Sequence, residues 1–240
     1  MKKAIYTTLV GDYDTLKDPE CIADDWDYIC FSNNLRSDQF KIWEIRKIPF
    51  YHSNNSVLSR FPKLNPHKVL PEYDYSIYLD SNIQITGEYI YNKADKLISQ
   101  KQLISIIKHP LRNCIYDEAE ICKNDGLESK KNINELISFL KQENYPKEVG
   151  LFENNLIFRN HMDSQIINLS NSWWDMYLRF AKRDQLSLCY LLWKNKISCS
   201  SFMPESKSTR NHEDFLYNAH KSNMIKSLRT RYRILKNKLQ

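Results

Sequence analysis

Glycine is scarce, with four in 240 residues. Neither G-x-G-x-x-G nor G-x-x-x-x-G-K-[ST] occurs, which removes the glycine loops that cradle phosphates in dinucleotide-binding and P-loop proteins. The six cysteines (Cys21, Cys30, Cys114, Cys122, Cys189 and Cys199) contain no C-x-x-C pair and no compact framework. They read as the reduced thiols of a cytosolic protein. The six histidines contain no H-E-x-x-H or H-x-H pair, so local spacing does not indicate a zinc hydrolase. No apolar run approaches the roughly 20 residues that span a bilayer. The run Ala4 to Val10 is broken by two threonines and reads as a first strand rather than a signal peptide.

What is present is an ordinary globular composition. Apolar residues make up 42% and charged residues 27% of the chain, which excludes a disordered polymer and suits one large domain. The net charge is +6, and it is unevenly spread. From Lys221 to Gln240 seven basic residues occur with no acid among them.

Strands are expected at Ala4–Val10, Asp27–Ser32, Phe40–Ile48, Tyr75–Leu79, Leu103–Ile107 and Asn155–Arg159. Helices are expected within Asn54–Leu70, interrupted by Pro62 and Pro66, and at Cys114–Lys123 and Asn132–Gln142. Ile166, Leu169, Trp173, Tyr177 and Phe180 recur at helical spacing, and Leu188, Leu191 and Leu192 continue the pattern. The sum is α/β with a largely parallel sheet, in which ligands sit beyond the carboxyl ends of the strands. Ile225, Leu228, Tyr232, Leu235 and Leu239 mark a basic amphipathic helix, suited to an anionic membrane surface or a partner. The expected division is one domain over residues 1–215 and this helix over 216–240.

The strand DYSIYL ends on Asp80-Ser81-Asn82. Asp and Asn one residue apart offer oxygen ligands to a hard cation, and the same triplet is ordinary turn chemistry. His212 is a candidate third ligand. Upstream, Arg60, Lys63, His67 and Lys68 form a basic cluster able to clamp phosphate, or a solvated face. His109, Arg112 and Asp117 could orient an acceptor hydroxyl. Arg183-Asp184-Gln185 opens an apolar helix, which is a capping signature and also a way to point an acid into a cleft. Asp184 is the first candidate for a catalytic base or donor-sugar contact, and Glu153 the second.

The ordered stretches YTTLVGDYDTL, DWDYICFSN, RFPKLNPHKVLPEYDYSIYLDSNIQI, HPLRNCIYDEAE, GLFENNLIFRNH and RDQLSLCYLLWK resemble the glycosyltransferase-like family once described as domain of unknown function 616. Its plant members are turgor-regulation and mucilage-related proteins. The resemblance covers roughly residues 4 to 195 and implies a GT-A-like (Rossmann-like) fold, a mixed, mostly parallel central sheet flanked by helices. It implies a glycosyltransferase using a nucleotide-diphosphate sugar, with UDP-sugar the first expectation, and a glycan or lipid-linked glycan acceptor in surface polysaccharide synthesis. Tyr6, Thr7, Tyr13 and Asn33 would then lie by the nucleotide, Arg60, Lys63 and His67 by the diphosphate, and Arg183, Asp184 and Gln185 by the sugar. Asp80 and Asn82, with Ser81 between them, would take the Mn²⁺ or Mg²⁺ position.

Asn82 stands where a full D-x-D has a second carboxylate, so Asn82→Asp is expected to be tolerated and Asp80→Ala to remove activity. The expected location is cytoplasmic, peripheral on the inner membrane face, with no nucleic-acid partner. Two other classes compete, a lipid amidase-type hydrolase and a non-catalytic membrane or polyanion binder.

Overall fold

The computed structural model describes residues 1–218. The chain opens with β1 (Lys3–Thr8), β2 (Asp27–Phe31) and β3 (Glu44–Arg46), followed by α1 (Asn55–Leu64) and the short α2 (Pro66–Val69). Next come β4 (Tyr75–Leu79), β5 (Ile83–Ile85), α3 (Tyr89–Ser99), β6 (Ile104–Lys108), α4 (Ile115–Asn124) and α5 (Lys130–Gln142). The last elements are β7 (Phe152–Arg159), α6 (Ser164–Arg179), α7 (Gln185–Lys194), β8 (Ser200–Ser201) and β9 (Phe215–Tyr217).

Seven strands form one sheet in the order β3-β2-β1-β4-β7-β6-β8. β7 runs antiparallel to both neighbours, and the other pairs are parallel. This is the mixed, mostly parallel central sheet flanked by helices that the resemblance implies. Because β7 is reversed, its first residues lie at the same edge as the carboxyl ends of β1 and β4. That edge carries the cleft described below.

Side chains alternate across each strand, so a sheet covered on both faces needs apolar residues at successive positions. Tyr6, Ile29, Tyr78 and Ile157 enter one apolar cluster with α1 and α4–α7. Ile5, Cys30, Ile77 and Phe158 enter the other, with Ile90, Ala94 and Leu97 of α3. This two-sided burial is why the first half of the chain reads so clearly as strands.

Several short elements have no strong sequence period. β5 and β9 pair with each other in a separate two-stranded sheet. Neither was expected, since three residues carry too little periodicity to stand out. β3 is shorter than the Phe40–Ile48 stretch that reads as strand. α3, also unanticipated, is held at its start by a distant residue, as Tyr89 N donates to Asp214 Oδ2 at 2.7 Å. Residues 216 and 217, placed in the tail by sequence, belong to β9 of the folded domain. The rest of the expected amphipathic helix, 219–240, lies outside the described residues.

Candidate active site

A cleft of about 800 Å³ opens at the carboxyl edge of the sheet. Its main walls come from the end of β1 and the segment after it (Thr8 to Asp14), one side of α1 as far as Lys63, the end of β4 (Asp80, Ser81) and the start of β7 (Glu153 to Asn155). Residues 182–185, before and at the start of α7, and Arg210 with Tyr217 complete it.

α1 begins at Asn54, whose Oδ1 accepts from Ser56 N at 2.8 Å, a normal N-cap. The helix carries Lys63 in its last turn and points it inward, where it is almost fully buried. Its Nζ lies 2.8 Å from Asp184 Oδ2 and 3.5 Å from Asp80 Oδ1, and 4.8 Å from the Tyr78 ring centroid. Arg60, one turn earlier, pairs with Asp184 Oδ1 at 3.5 Å.

Asp184 stands at the α7 N-terminus, yet its side chain caps no backbone N–H there. It turns instead to Lys63 and Arg60, and Trp173 Nε1 anchors its backbone carbonyl at 2.9 Å. Burial alone would raise its pKa. The charges of Lys63 and Arg60, the Lys63 hydrogen bond and the Arg183 charge outweigh that and hold it well below the usual carboxylate range. Such an acid is ionised throughout and a poor proton acceptor.

The start of β7 is built differently. Between Ile106 and Ile107 the β6–β7 register shifts, with Ile106 paired to Ile157 but Ile107 to Glu153. Bulges of this kind re-aim side chains next to functional sites. Here the shift frees Asn154 and Asn155 from regular pairing with β6, and both line the cleft although adjacent in sequence. Asn154 Nδ2 makes a long contact to Asp184 Oδ2, 3.5 Å, and Asn155 Nδ2 donates to Thr209 Oγ1 at 3.0 Å. Glu153 Oε1 accepts from Arg210 Nε at 3.1 Å, and its Oε2 is buried without a partner among the described residues. Arg210 in turn lies over the Tyr217 ring, 4.4 Å from its centroid.

A sequence profile of the TOD1/MUCI70 glycosyltransferase-like domain matches residues 31–216, more than half of the chain. The protein belongs to this family. No curated protein matches it significantly by sequence. Among solved structures the TOD1/MUCI70 domain here is similar to the apo bifunctional glycosyltransferase WbbM, with TM-score 0.43 and 11% identity over 79% of this chain and 37% of that one. It thus spans little more than a third of WbbM. Mouse xyloside xylosyltransferase 1, in its apo form, gives 0.48 and 12% over 83% of this chain and 84% of that one. The galactosyltransferase LgtC, in complex with donor and acceptor sugar analogues, gives 0.43 and 9% over 83% and 72%. These are loose likenesses of fold.

Of the residues expected at the site of this TOD1/MUCI70 domain, Tyr13, Arg60, Lys63, Asp80, Ser81, Glu153, Arg183, Asp184 and Gln185 all line the one cleft. The others are placed elsewhere. Tyr6 and Thr7 are buried within β1, and Tyr6 bonds to Arg159 and to Lys63 O. Asn33 Oδ1 accepts from Ile48 N, and His67 bonds to Asn171. His109 Nδ1 accepts from Leu111 N and Arg112 N in the turn after β6. Arg112 pairs with the buried Glu118 at 2.5 Å, and Asp117 is exposed on α4.

Of the three expected metal ligands, only Asp80 lines the cleft. Asn82 is buried with its Nδ2 donating to Asn218 O at 2.8 Å, and His212 packs on Tyr89 with ring centroids 4.3 Å apart. Among the described residues no three His, Cys, Asp or Glu side chains are grouped to hold a metal.

Asp12, Asp14, Asn154, Asn155, Arg210 and Tyr217 line the cleft without having been singled out. A signal existed for two of them. Glu153-Asn154-Asn155 is a polar triplet at the head of an apolar strand, and all three are buried.

Proposed function

We propose that the protein is a glycosyltransferase that moves a sugar from a nucleotide-diphosphate donor, UDP-sugar foremost, to a glycan or lipid-linked glycan acceptor. The observation that carries this reading is a single cleft that gathers Arg60, Lys63 and Arg183 with Asp80 at the end of a central strand. Guanidinium and ammonium groups suit phosphate oxygens, and the family is glycosyltransferase-like.

Six acids (Asp12, Asp14, Asp80, Glu128, Glu153, Asp184) and five bases (Arg60, Lys63, Lys182, Arg183, Arg210) line the cleft. A diphosphate would therefore enter a site without excess positive charge, which favours a divalent cation arriving with it. Asp80, partly exposed and lining the cleft, fits as the protein carboxylate, with phosphate oxygens and water completing the shell as Mg²⁺-type ions prefer. When bound, Mn²⁺ or Mg²⁺ would neutralise the departing diphosphate.

The basic stretch from Lys221 onward fits an anionic surface, consistent with work on a lipid-linked acceptor at the inner membrane face. Among the described residues no helix is long and apolar enough to cross a membrane.

Calorimetric titration with UDP-, GDP-, CDP- and TDP-sugars, with and without Mn²⁺, tests the reading. Binding of at least one is expected. Absence of binding by all of them, or a tightly held zinc ion in the purified protein, would turn the assignment towards the hydrolase class.

A further inference from the structure

We propose that Glu153, rather than Asp184, takes the proton from the attacking acceptor hydroxyl, so that the sugar is transferred with inversion. The assignment rests on the glycosyltransferase reading above.

Two buried carboxylates line the same cleft in opposite circumstances. Both oxygens of Asp184 are engaged, Oδ2 by Lys63 and Asn154 and Oδ1 by Arg60. A carboxylate gripped in this way orients neighbours and balances their charge, but has little affinity for a proton. Glu153 has one hydrogen-bonding partner, Arg210 on Oε1, and Oε2 has none among the described residues. Its side chain is 8% exposed, whereas that of Arg210 is 52% exposed. The one ion pair is thus made with a residue on the solvent side of the cleft, and the second oxygen is left buried with its hydrogen-bonding capacity unused among the described residues. Glu153 also sits on a strand end re-aimed by the register shift, a rigid mount for a group that must meet an incoming hydroxyl.

The step balances with one base. The acceptor oxygen bonds to the anomeric carbon as the bond from that carbon to the phosphate oxygen breaks. The electron pair leaves with the nucleoside diphosphate, and the hydroxyl proton passes to Glu153 Oε2. A single displacement of this kind inverts the anomeric centre. Asp184 remains a positioning residue for Lys63 and Arg60. Arg210, from the segment before β9, pairs with Glu153, and the charge of Glu153 reaches His109, from the turn after β6.

The test uses the sugar nucleotide that binds in the titration above, with water as the acceptor and release of nucleoside diphosphate as the readout. Glu153→Gln is expected to slow release by roughly 10²–10⁴-fold, the usual contribution of a positioned base, with donor Kd unchanged. Glu153→Asp should recover part of the rate, and Asp184→Asn should weaken donor binding. NMR of the sugar first released by the wild type should show the anomer opposite to that of the donor.

Retention of configuration, release by Glu153→Gln within threefold of wild type, or loss of turnover in Asp184→Asn at unchanged donor Kd would each overturn the assignment. So would a wild type that binds donor but never releases diphosphate. Should Glu153→Gln fail to fold, the wild-type stereochemistry decides alone. If no sugar nucleotide binds at all, it is the glycosyltransferase reading that falls.

Discussion

Lys63 and Asp184 form a buried ion pair, with Nζ 2.8 Å from Oδ2, that joins the last turn of α1 to the start of α7 across the cleft. Asp184 has a folded-state pKa below its unfolded value, so over that range the unfolded chain binds more protons and stability rises with pH. The contribution is complete above the ordinary aspartate value of about 3.9 and is lost as the pH falls towards the lower folded value. In urea titrations the gap between wild type and Asp184→Asn should be constant from pH 7 to 5 and narrow below about pH 4. Removing one member of a buried pair costs about 3–5 kcal/mol, so Lys63→Met should lower the midpoint strongly at neutral pH.

Asp80 and Asn82 should behave differently from each other. Asp80 is partly exposed and lines the cleft, 3.5 Å from Lys63 Nζ, so Asp80→Ala should abolish transfer at a modest cost in melting temperature, Asp184 remaining as the closer partner of Lys63. Asn82 is buried and donates to Asn218 O. Asn82→Asp would set a carboxylate against a carbonyl and strand that acceptor, at about 1–3 kcal/mol. The structure therefore gives the opposite expectation to the sequence, a measurable drop in thermal stability. Calorimetric melting of the two variants checks both.

Tyr6→Phe separates structure from binding. The Tyr6 hydroxyl bonds to Arg159, a wholly buried guanidinium whose Nε and Nη1 have no partner among the described residues. Without the hydroxyl, Arg159 keeps Lys63 O as acceptor, 2.8 Å from Nη2. A loss of about 1–3 kcal/mol in chemical denaturation is expected, with donor Kd unchanged because Tyr6 does not line the cleft. A large rise in Kd at unchanged stability would instead place Tyr6 at the nucleotide.

Gly87→Ala should be destabilising for want of space. A Cβ there would come within 2.3 Å of Asp214 Cγ, and that carboxylate accepts from Tyr89 N at the head of α3. Displacing it costs about what a lost N-cap costs, roughly 0.5–2 kcal/mol. Asp214→Ala should cost a similar amount, and the double variant should fall short of the sum, since both act on one contact. Thermal melts of the three variants provide the cycle.

Two orders of information separate cleanly here. Tyr75–Leu79 was legible to the residue because a short run rich in Tyr, Ile and Leu stops sharply at the polar triplet that begins with Asp80. Helix α6 was legible from its 3.6-residue period, whereas Pro62, expected to interrupt a helix, lies inside α1; Arg60, Lys63, Asp80, Glu153 and Asp184 were each singled out from the sequence as candidate site residues. All five came together in one cleft.

Local pattern could not say which way each charge would turn. Asn82, one residue from Ser81, faces Asn218 instead of the cleft, and Asp184, at a helix N-terminus, declines the cap to meet Lys63. Those outcomes depend on partners more than 100 residues away, in Asn82–Asn218 and Lys63–Asp184, and on a reversed strand that no periodicity reveals. Sequence alone thus determined the longer central strands, most of the longer helices and the stock of chemical groups, because these follow from short-range spacing. The tertiary structure alone decided which carboxylate is tied and which keeps an oxygen free, because that is set by where separate strands and helices converge.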